Sequence, residues 1–361
     1  MNTKIIVATF FPVYPITFGS SVVISSFFEN IQNKNKVLFQ ISKKNIKKKN
    51  IKNILSQSDS KIFKFFSVLV LINNLLAEIK RSNYRNVLIM EGASWIGYSF
   101  ILLVLVKLLF KNIKVIYKAH SIEYEIRKQN SNFIISNLSF IFEKFVYKNC
   151  DVSTSVSPLE QKKIKQLYNV KTELFPNIVE LSKSNKNLSK LNKQYIFYSG
   201  SYDYLPNKKA IDRLINKIMP IILKKNPNLL LVLTGSKKIP YRYDWLKNLG
   251  MLSKDNYLNI LKNSICLVVP TREGYGTRVK IIEALCNGVV VVSSRIGIEG
   301  IAYDHKSPPP FECNTDHSFV NSILKVLNNK KYKKRAKKNR SKYIKKYSAK
   351  LNTQIFVKNH S

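Results

Sequence analysis

Acidic residues are scarce in this chain: 21 Asp and Glu stand against 61 Lys and Arg in 361 residues, giving a formal net charge of +40. Cysteine is scarce as well. The four present, Cys150, Cys266, Cys286 and Cys313, form no C-x-x-C pair, which speaks against a zinc site and a disulfide framework and fits a reducing cytoplasm. No apolar run reaches the roughly 20 residues that span a bilayer. Trp95–Phe110 comes nearest and is interrupted by Lys107; it reads as a helix buried against a sheet, with a membrane-leaning helix as the alternative. Near the N-terminus the run Ile5–Phe11 is cut short by Pro12 and Pro15, so it reads as a first β-strand rather than a signal peptide. There is no repeat of short period. No nucleic-acid motif is visible either, and the lysines are spread along the chain without forming a stripe, which argues against a nucleic-acid partner.

What is abundant is lysine. Only ten of the basic residues are Arg, and the Lys excess travels with Asn and Ile, as in Asn45–Asn53, a pattern that AT-rich codon usage produces by itself. A solvated surface shaped by codon usage and attraction to an anionic membrane or sugar-lipid both remain open as meanings of the charge. At 45% apolar and 11% aromatic residues the chain can bury real cores, and its length suits two domains of roughly 150–180 residues each.

Short β-rich runs alternate with longer helical ones. Strands are expected at Lys4–Phe10, Val37–Ile41, Asn86–Met90, Val115–Lys118 and Val152–Ser155, then at Tyr195–Ser199, Leu229–Thr234, Ile265–Val269 and Val289–Ser293. Near-continuous Val, Ile and Leu runs with helices between them indicate parallel sheets covered on both faces. The fold class is therefore α/β with two Rossmann-like domains: 1–180, a polar linker at 181–193, 194–340, and a basic helical end at 341–361.

One stretch carries most of the chemical information. Thr271–Gly288 runs from a loop with Gly274 and Gly276, through Thr277, Arg278 and Lys280, into a helical pattern holding Glu283, and a β-branched strand follows. A loop opening a helix presents free N–H groups and a positive dipole end to a phosphate. A guanidinium and an ammonium beside it would neutralise a diphosphate, and a carboxylate further on could hold sugar hydroxyls. At i, i+2 the two cations share one side of an extended loop but not of a helix, so both face the phosphates only if the helix starts after them.

Gly276-Thr-Arg-Val-Lys-Ile-Ile-Glu-Ala-Leu-x-x-Gly-x-Val-Val-Val-Ser-Ser, ending in Gly297-Ile-Glu-Gly300, resembles the donor-binding signature of glycosyltransferase family 4 and its close relatives of the GT-B fold. The resemblance implies two Rossmann-like domains with parallel sheets facing across an interdomain cleft, and a final helix that crosses back to the first domain. It implies sugar transfer from a nucleotide-diphosphate donor (a UDP- or GDP-sugar) to an acceptor hydroxyl of a cell-surface glycan or glycolipid, with retention of configuration, no metal and no cofactor. Polysaccharide or lipopolysaccharide biosynthesis follows as the setting, cytoplasmic or peripheral on the inner face of the membrane.

By the same resemblance, Arg278 and Lys280 stabilise the leaving diphosphate and Glu283 holds the ribose. Gly200 and Ser201, in Tyr198–Asn207, approach the donor phosphates, with Asn207 expected as a helix cap. Gly235 and Gly250 line the base pocket, while Gly274, Gly276 and Thr277 belong to the donor loop. His120, in His120-Ser-Ile-Glu-Tyr-Glu125, matches a His that meets the donor sugar. Glu123 beside it is either a site residue or a first-turn residue steadying a helix N-terminus. Gly19 occupies the place of a glycine-rich loop that often has two adjacent glycines. Ser157 and Glu160 read as a capping box. One departure concerns the carboxylates: many family members hold two glutamates eight positions apart, whereas Glu273 and Glu283 are ten apart, which puts the role of Glu273 in doubt. Two other readings stay open, a non-transferase GT-B enzyme of the sugar-nucleotide epimerase type and a sugar-nucleotide-binding module without catalysis.

Overall fold

The computed structural model describes residues 3–56, 60–181, 191 and 193–361. They separate into two compact units, Met1–Val179 with Ala349–Ser361, and Glu180–Ser348. The linker expected at 181–193 falls almost entirely outside the described residues.

The first unit holds a seven-stranded parallel sheet. Its strands are β1 (Thr3–Ala8), β2 (Lys36–Ser42), β3 (Ile51–Leu55), β4 (Arg85–Gly92), β5 (Lys114–Ala119), β6 (Val152–Ser155) and β7 (Glu173–Leu174). They lie in the order β3-β2-β1-β4-β5-β6-β7, with Ile5 of β1 paired to Lys36 on one side and to Val87 on the other. In the second unit β8 (Tyr195–Ser199), β9 (Leu230–Thr234), β10 (Leu246–Asn248), β11 (Leu267–Val269), β12 (Val291–Ser293) and β13 (Phe311–Glu312) lie in the order β10-β9-β8-β11-β12-β13. All nine expected strands are present. The four that the pattern missed, β3, β7, β10 and β13, are the four sheet edges. Edge strands are short and half-exposed, so they carry no continuous apolar run to announce them.

Each sheet reverses its order once, between β1 and β4 in the first unit and between β8 and β11 in the second. Beyond the carboxyl ends of strands flanking such a reversal lies the crevice where doubly wound folds take their ligands. The loops that end β1 and β4, with that of the adjacent β5, and those that end β8 and β11 open toward these crevices.

The helices cover these sheets with their apolar faces. Ile96–Leu109 buries Ile96, Leu102, Leu103 and Val106, as expected for the Trp95–Phe110 run, and Phe63–Ala77 lies within the helix Lys61–Lys80. The basic C-terminal stretch is two helices rather than one. Lys331–Tyr347 stays with the second unit, the chain turns at Ser348, and Ala349–His360 belongs to the first, so the division falls at Ser348 and not at 340. Phe356 of the last helix packs against Phe27 and Phe175, with ring centroids 6.0 and 4.7 Å away.

Candidate functional site

In the second unit two glycines bring the ends of β8 and β9 together. Gly235, at φ +94°, would set a Cβ 3.0 Å from the backbone of Gly200, and the Gly200 N–H donates to Thr234 O at 2.9 Å. Ser236 Oγ accepts from the Tyr202 N–H at 2.6 Å and donates to Gly200 O. Gly250 closes the group by accepting from the Gly235 N–H at 2.8 Å. The Ser201 hydroxyl turns to its neighbour and donates to Asp203 Oδ2 at 3.1 Å.

Asn207 is not a helix cap. The helix Leu205–Arg213 starts after Tyr204 without a side-chain cap, and the Asn207 amide oxygen instead accepts from Tyr198 Oη at 2.8 Å and from Lys280 Nζ at 3.2 Å. A Cβ at position 200 would sit 2.7 Å from this amide, so Gly200 is required by the side chain it faces.

Across the order reversal, the loop that follows β11 feeds the helix Val279–Cys286. This helix begins between the two cations: Arg278 is its N-cap and Lys280 its second residue. The pair therefore does not share one extended face, contrary to the condition set on the sequence. Arg278 folds back on its own loop and donates to the carbonyls of Tyr275 and Gly276, the latter at 2.6 Å. Gly274, at φ +112°, leaves space for the guanidinium, which lies 2.7 Å from where a Cβ would stand. Gly276 is also left-handed, at φ +69°, and Thr277 is buried in the same loop. Arg278 thus latches the loop as well as charging it.

Lys280 is half-buried, with its ammonium 4.2 Å from the centre of the Tyr198 ring. Burial, with the Arg278 charge adding to it, lowers its pKa to about 7. A cation held this way, with a neutral amide and a ring for company, lacks an anion among the described residues. Glu283, in the same helix, is buried and paired with Lys254. Glu273 pairs with Lys209 at 2.8 Å through one oxygen, while the other is buried without a hydrogen-bond partner among the described residues.

In the first unit His120 follows β5 and donates or accepts at 2.6 Å with Glu91 Oε2, at the end of β4. Glu91 is fully buried and also holds Lys118 Nζ at 3.0 and 3.1 Å. Burial lowers the His120 pKa and the Lys118 charge adds to this, both against the Glu91 bond. Burial would raise the Glu91 carboxyl, but Lys118 and His120 together hold it below its usual value. The arrangement is thus an ionised Glu91, a Lys118 counter-charge and a neutral imidazole, whose Nε2–H is the donor. The Lys118 ammonium lies over the rings of Phe27 and Phe175 at 4.9 and 5.1 Å.

Glu91 and Lys118 escaped the sequence reading because a lone carboxylate at a strand end has no motif; an ionisable residue inside an otherwise apolar strand was the available signal. Gln40 was missed likewise. Its side chain accepts from Val13 and Tyr14 N–H and donates to Asn53 Oδ1 at 2.8 Å, fixing the loop after β1.

Glu123 starts the helix Glu123–Asn130 and pairs with Arg127 at i+4, the first-turn role named as its alternative. Gly19 is the first residue of the helix Gly19–Asn30 and is exposed. Ser157 caps Pro158–Tyr168 by accepting from Glu160 N–H, but the Glu160 carboxyl reaches Val156 rather than Ser157, so the capping box is half formed.

Residues 193–329 match the family described as Glycosyl transferases group 1. A curated relative from Klebsiella pneumoniae, described as an uncharacterized 44.6 kDa protein in the cps region, is 27% identical over 114 residues, which are 28% of this chain and 29% of the relative. The fold is similar to that of sucrose-phosphate synthase from Thermosynechococcus elongatus (TM-score 0.73, 14% identity, 99% of this chain and 98% of that one). It is similar to Anabaena HepE in complex with UDP and glucose (TM-score 0.71, 11% identity, 99% and 98%). A putative UDP-N-acetylglucosamine 2-epimerase from Listeria monocytogenes is also similar (TM-score 0.61, 10% identity, 99% and 95%). At these identities the structural likeness establishes the α/β fold of two Rossmann-like units, of the GT-B type, and nothing finer.

Proposed function

We propose that this protein, whose residues 193–329 match the family described as Glycosyl transferases group 1, moves a sugar from a UDP- or GDP-sugar to an acceptor hydroxyl of a cell-surface glycan or glycolipid. The observation that carries this reading is Lys280, a half-buried ammonium at the order reversal of the second sheet that has no carboxylate partner among the described residues. A diphosphate is the anion that such a site lacks.

In this reading Lys280 and Arg278, with the first N–H groups of Val279–Cys286, stabilise the charge that grows on the leaving diphosphate. Gly200 and Ser201 approach its phosphates, and Gly235 and Gly250 the base. Glu283 accepts from the ribose hydroxyls, and His120, steadied by Glu91, meets the donor sugar. Two fixed cations supply the charge that a metal would otherwise bring, so the reaction is read as metal-independent, and retention follows from the resemblance to family 4. The cps-region relative supports polysaccharide biosynthesis as the setting. The +40 charge supports peripheral contact with an anionic membrane from the cytoplasmic side. No helix among the described residues is long and apolar enough to cross a membrane.

The likeness to an epimerase fold keeps that second reading in view. Incubating the purified protein with UDP- and GDP-sugars separates the alternatives. Slow release of UDP or GDP, accelerated by an acceptor, supports transfer. Conversion of the donor to its epimer supports the second reading. Tight binding without either reaction leaves a binding module and refutes catalysis.

A further inference from the structure

The first unit carries an apolar surface that its own core does not need. In the helix Phe133–Asn149 the side chains of Phe133, Ile134 and Ile141 are 79%, 68% and 57% exposed. Leu138 and Phe145 are also exposed, and Ile134, Leu138, Ile141 and Phe145 follow one another at i, i+4, i+7 and i+11. That spacing draws one line along the helix, about 16 Å long. An amphipathic helix buries such a stripe, yet here it faces outward.

The stripe begins beyond the end of the sheet. Trp95 Nε1 donates to Ser139 Oγ at 3.2 Å, and Lys107 Nζ reaches Asp151 at 2.9 Å. Both pairs are separated by 44 positions, so the helices Ile96–Leu109 and Phe133–Asn149 run parallel in constant register. Ser139 is thus level with the start of Ile96–Leu109, and residues 133–138 stand ahead of it by about 9 Å. Ile96–Leu109 itself starts just past the carboxyl end of β4, where Glu91 and His120 lie. Phe133 and Ile134 therefore form the tip of a helical hairpin, Glu123–Asn130 with Phe133–Asn149, that projects past the ligand end of the sheet.

We propose that this hairpin is the membrane-contacting element, with Phe133 and Ile134 seated in the interface of an anionic bilayer and the stripe from Leu138 to Phe145 lying along it. The proposal rests on the peripheral-membrane reading above and names the surface responsible. Charge selects the occupant. Lys128, in the preceding helix, and Lys144 and Lys148, on the same helix, are all exposed, and lysines flanking an apolar stripe suit anionic headgroups. A second copy would bring the same basic surface against it in a chain already at +40, which self-repulsion disfavours. The consequence for the reaction is that the ligand end of the first sheet is held beside the lipid surface, so an acceptor hydroxyl carried on a lipid needs no long extraction to reach it.

The experiment is co-sedimentation of the full chain with vesicles of phosphatidylcholine alone, or of phosphatidylcholine and phosphatidylglycerol in equal parts. The wild type should partition to the anionic vesicles and weaken as salt rises. Phe133→Ser/Ile134→Ser should lower that partition roughly tenfold or more, the worth of two large apolar side chains kept out of the interface. Ile355→Ser, an exposed apolar residue on the last helix, should change nothing. In a Phe133→Trp variant, tryptophan emission should shift to the blue on anionic vesicles. If the wild type binds no vesicle, the peripheral-membrane reading itself falls. If the wild type binds and the double variant binds equally well, that reading stands and the hairpin is not its contact. If the double variant keeps its partition but changes sedimentation from dimer to monomer, the surface is a self-association face and the proposal is overturned.

Discussion

Raising the pH from about 7 to about 8.5 should weaken the binding of UDP or GDP about sixteenfold, and Lys280→Met should abolish that dependence. The reasoning starts from the free protein, where burial and the Arg278 charge bring Lys280 to about 7. A bound diphosphate favours the charged form, so the binding-competent fraction is the protonated one. Apparent dissociation constants scale as the inverse of that fraction. The inverse is about 2 at pH 7 and about 33 at pH 8.5, a ratio of about sixteen. Binding at pH 8 should then take up close to one proton. Calorimetry in buffers of different ionisation enthalpy reads this directly as the slope of observed heat against buffer heat.

Stability has its own sign. The unfolded ammonium keeps its proton until about 10.4, whereas the folded one loses it near 7. Over that window the unfolded state binds more protons, so this group's contribution rises with pH and its folding penalty is complete below about 7. Lys280→Met should therefore stabilise the fold at pH 7 while weakening nucleotide binding. Affinity that stays flat from pH 6.5 to 8.5, with no proton uptake, would refute the reasoning (a window chosen to bracket the pKa of about 7).

Two further predictions concern the carboxylates. Glu283→Gln should lower nucleotide affinity about ten- to hundredfold, because a hydrogen bond to a charged acceptor contributes roughly 1.5–3 kcal/mol. A 2′,3′-dideoxy nucleotide should show little further loss with the variant, and strictly additive losses in the four-way calorimetric cycle would remove Glu283 from the ribose. Glu91→Gln leaves Lys118 buried without its counter-charge and should cost about 3–5 kcal/mol, whereas Glu91→Gln/Lys118→Met should recover most of it. Urea unfolding measures both, and a single variant as stable as wild type would show that the pair is not coupled.

The sequence by itself determined the two sheets and the glycine-bearing loop that opens Val279–Cys286. Interior parallel strands are buried on both faces, so Ile5–Ala8 or Val289–Ser293 must be nearly continuous apolar runs, and such runs are legible without neighbours. Gly274 and Gly276 were legible for a similar reason: a loop that turns sharply into a helix needs positive φ, and glycine supplies it. Tertiary structure alone decided what depends on partners distant in sequence. Whether Ile51–Leu55 or Leu246–Asn248 becomes a strand is settled by the neighbour each one meets at a sheet edge. Asn207 reads locally as a cap and acts as the acceptor for Lys280, 73 positions away. Glu91 has no local signature, because its role comes from Lys118 on the adjacent strand and His120 just past its end. The outward stripe of Phe133–Asn149 looks like core in the sequence, since an amphipathic period records that a helix has an apolar face and leaves open what will cover it.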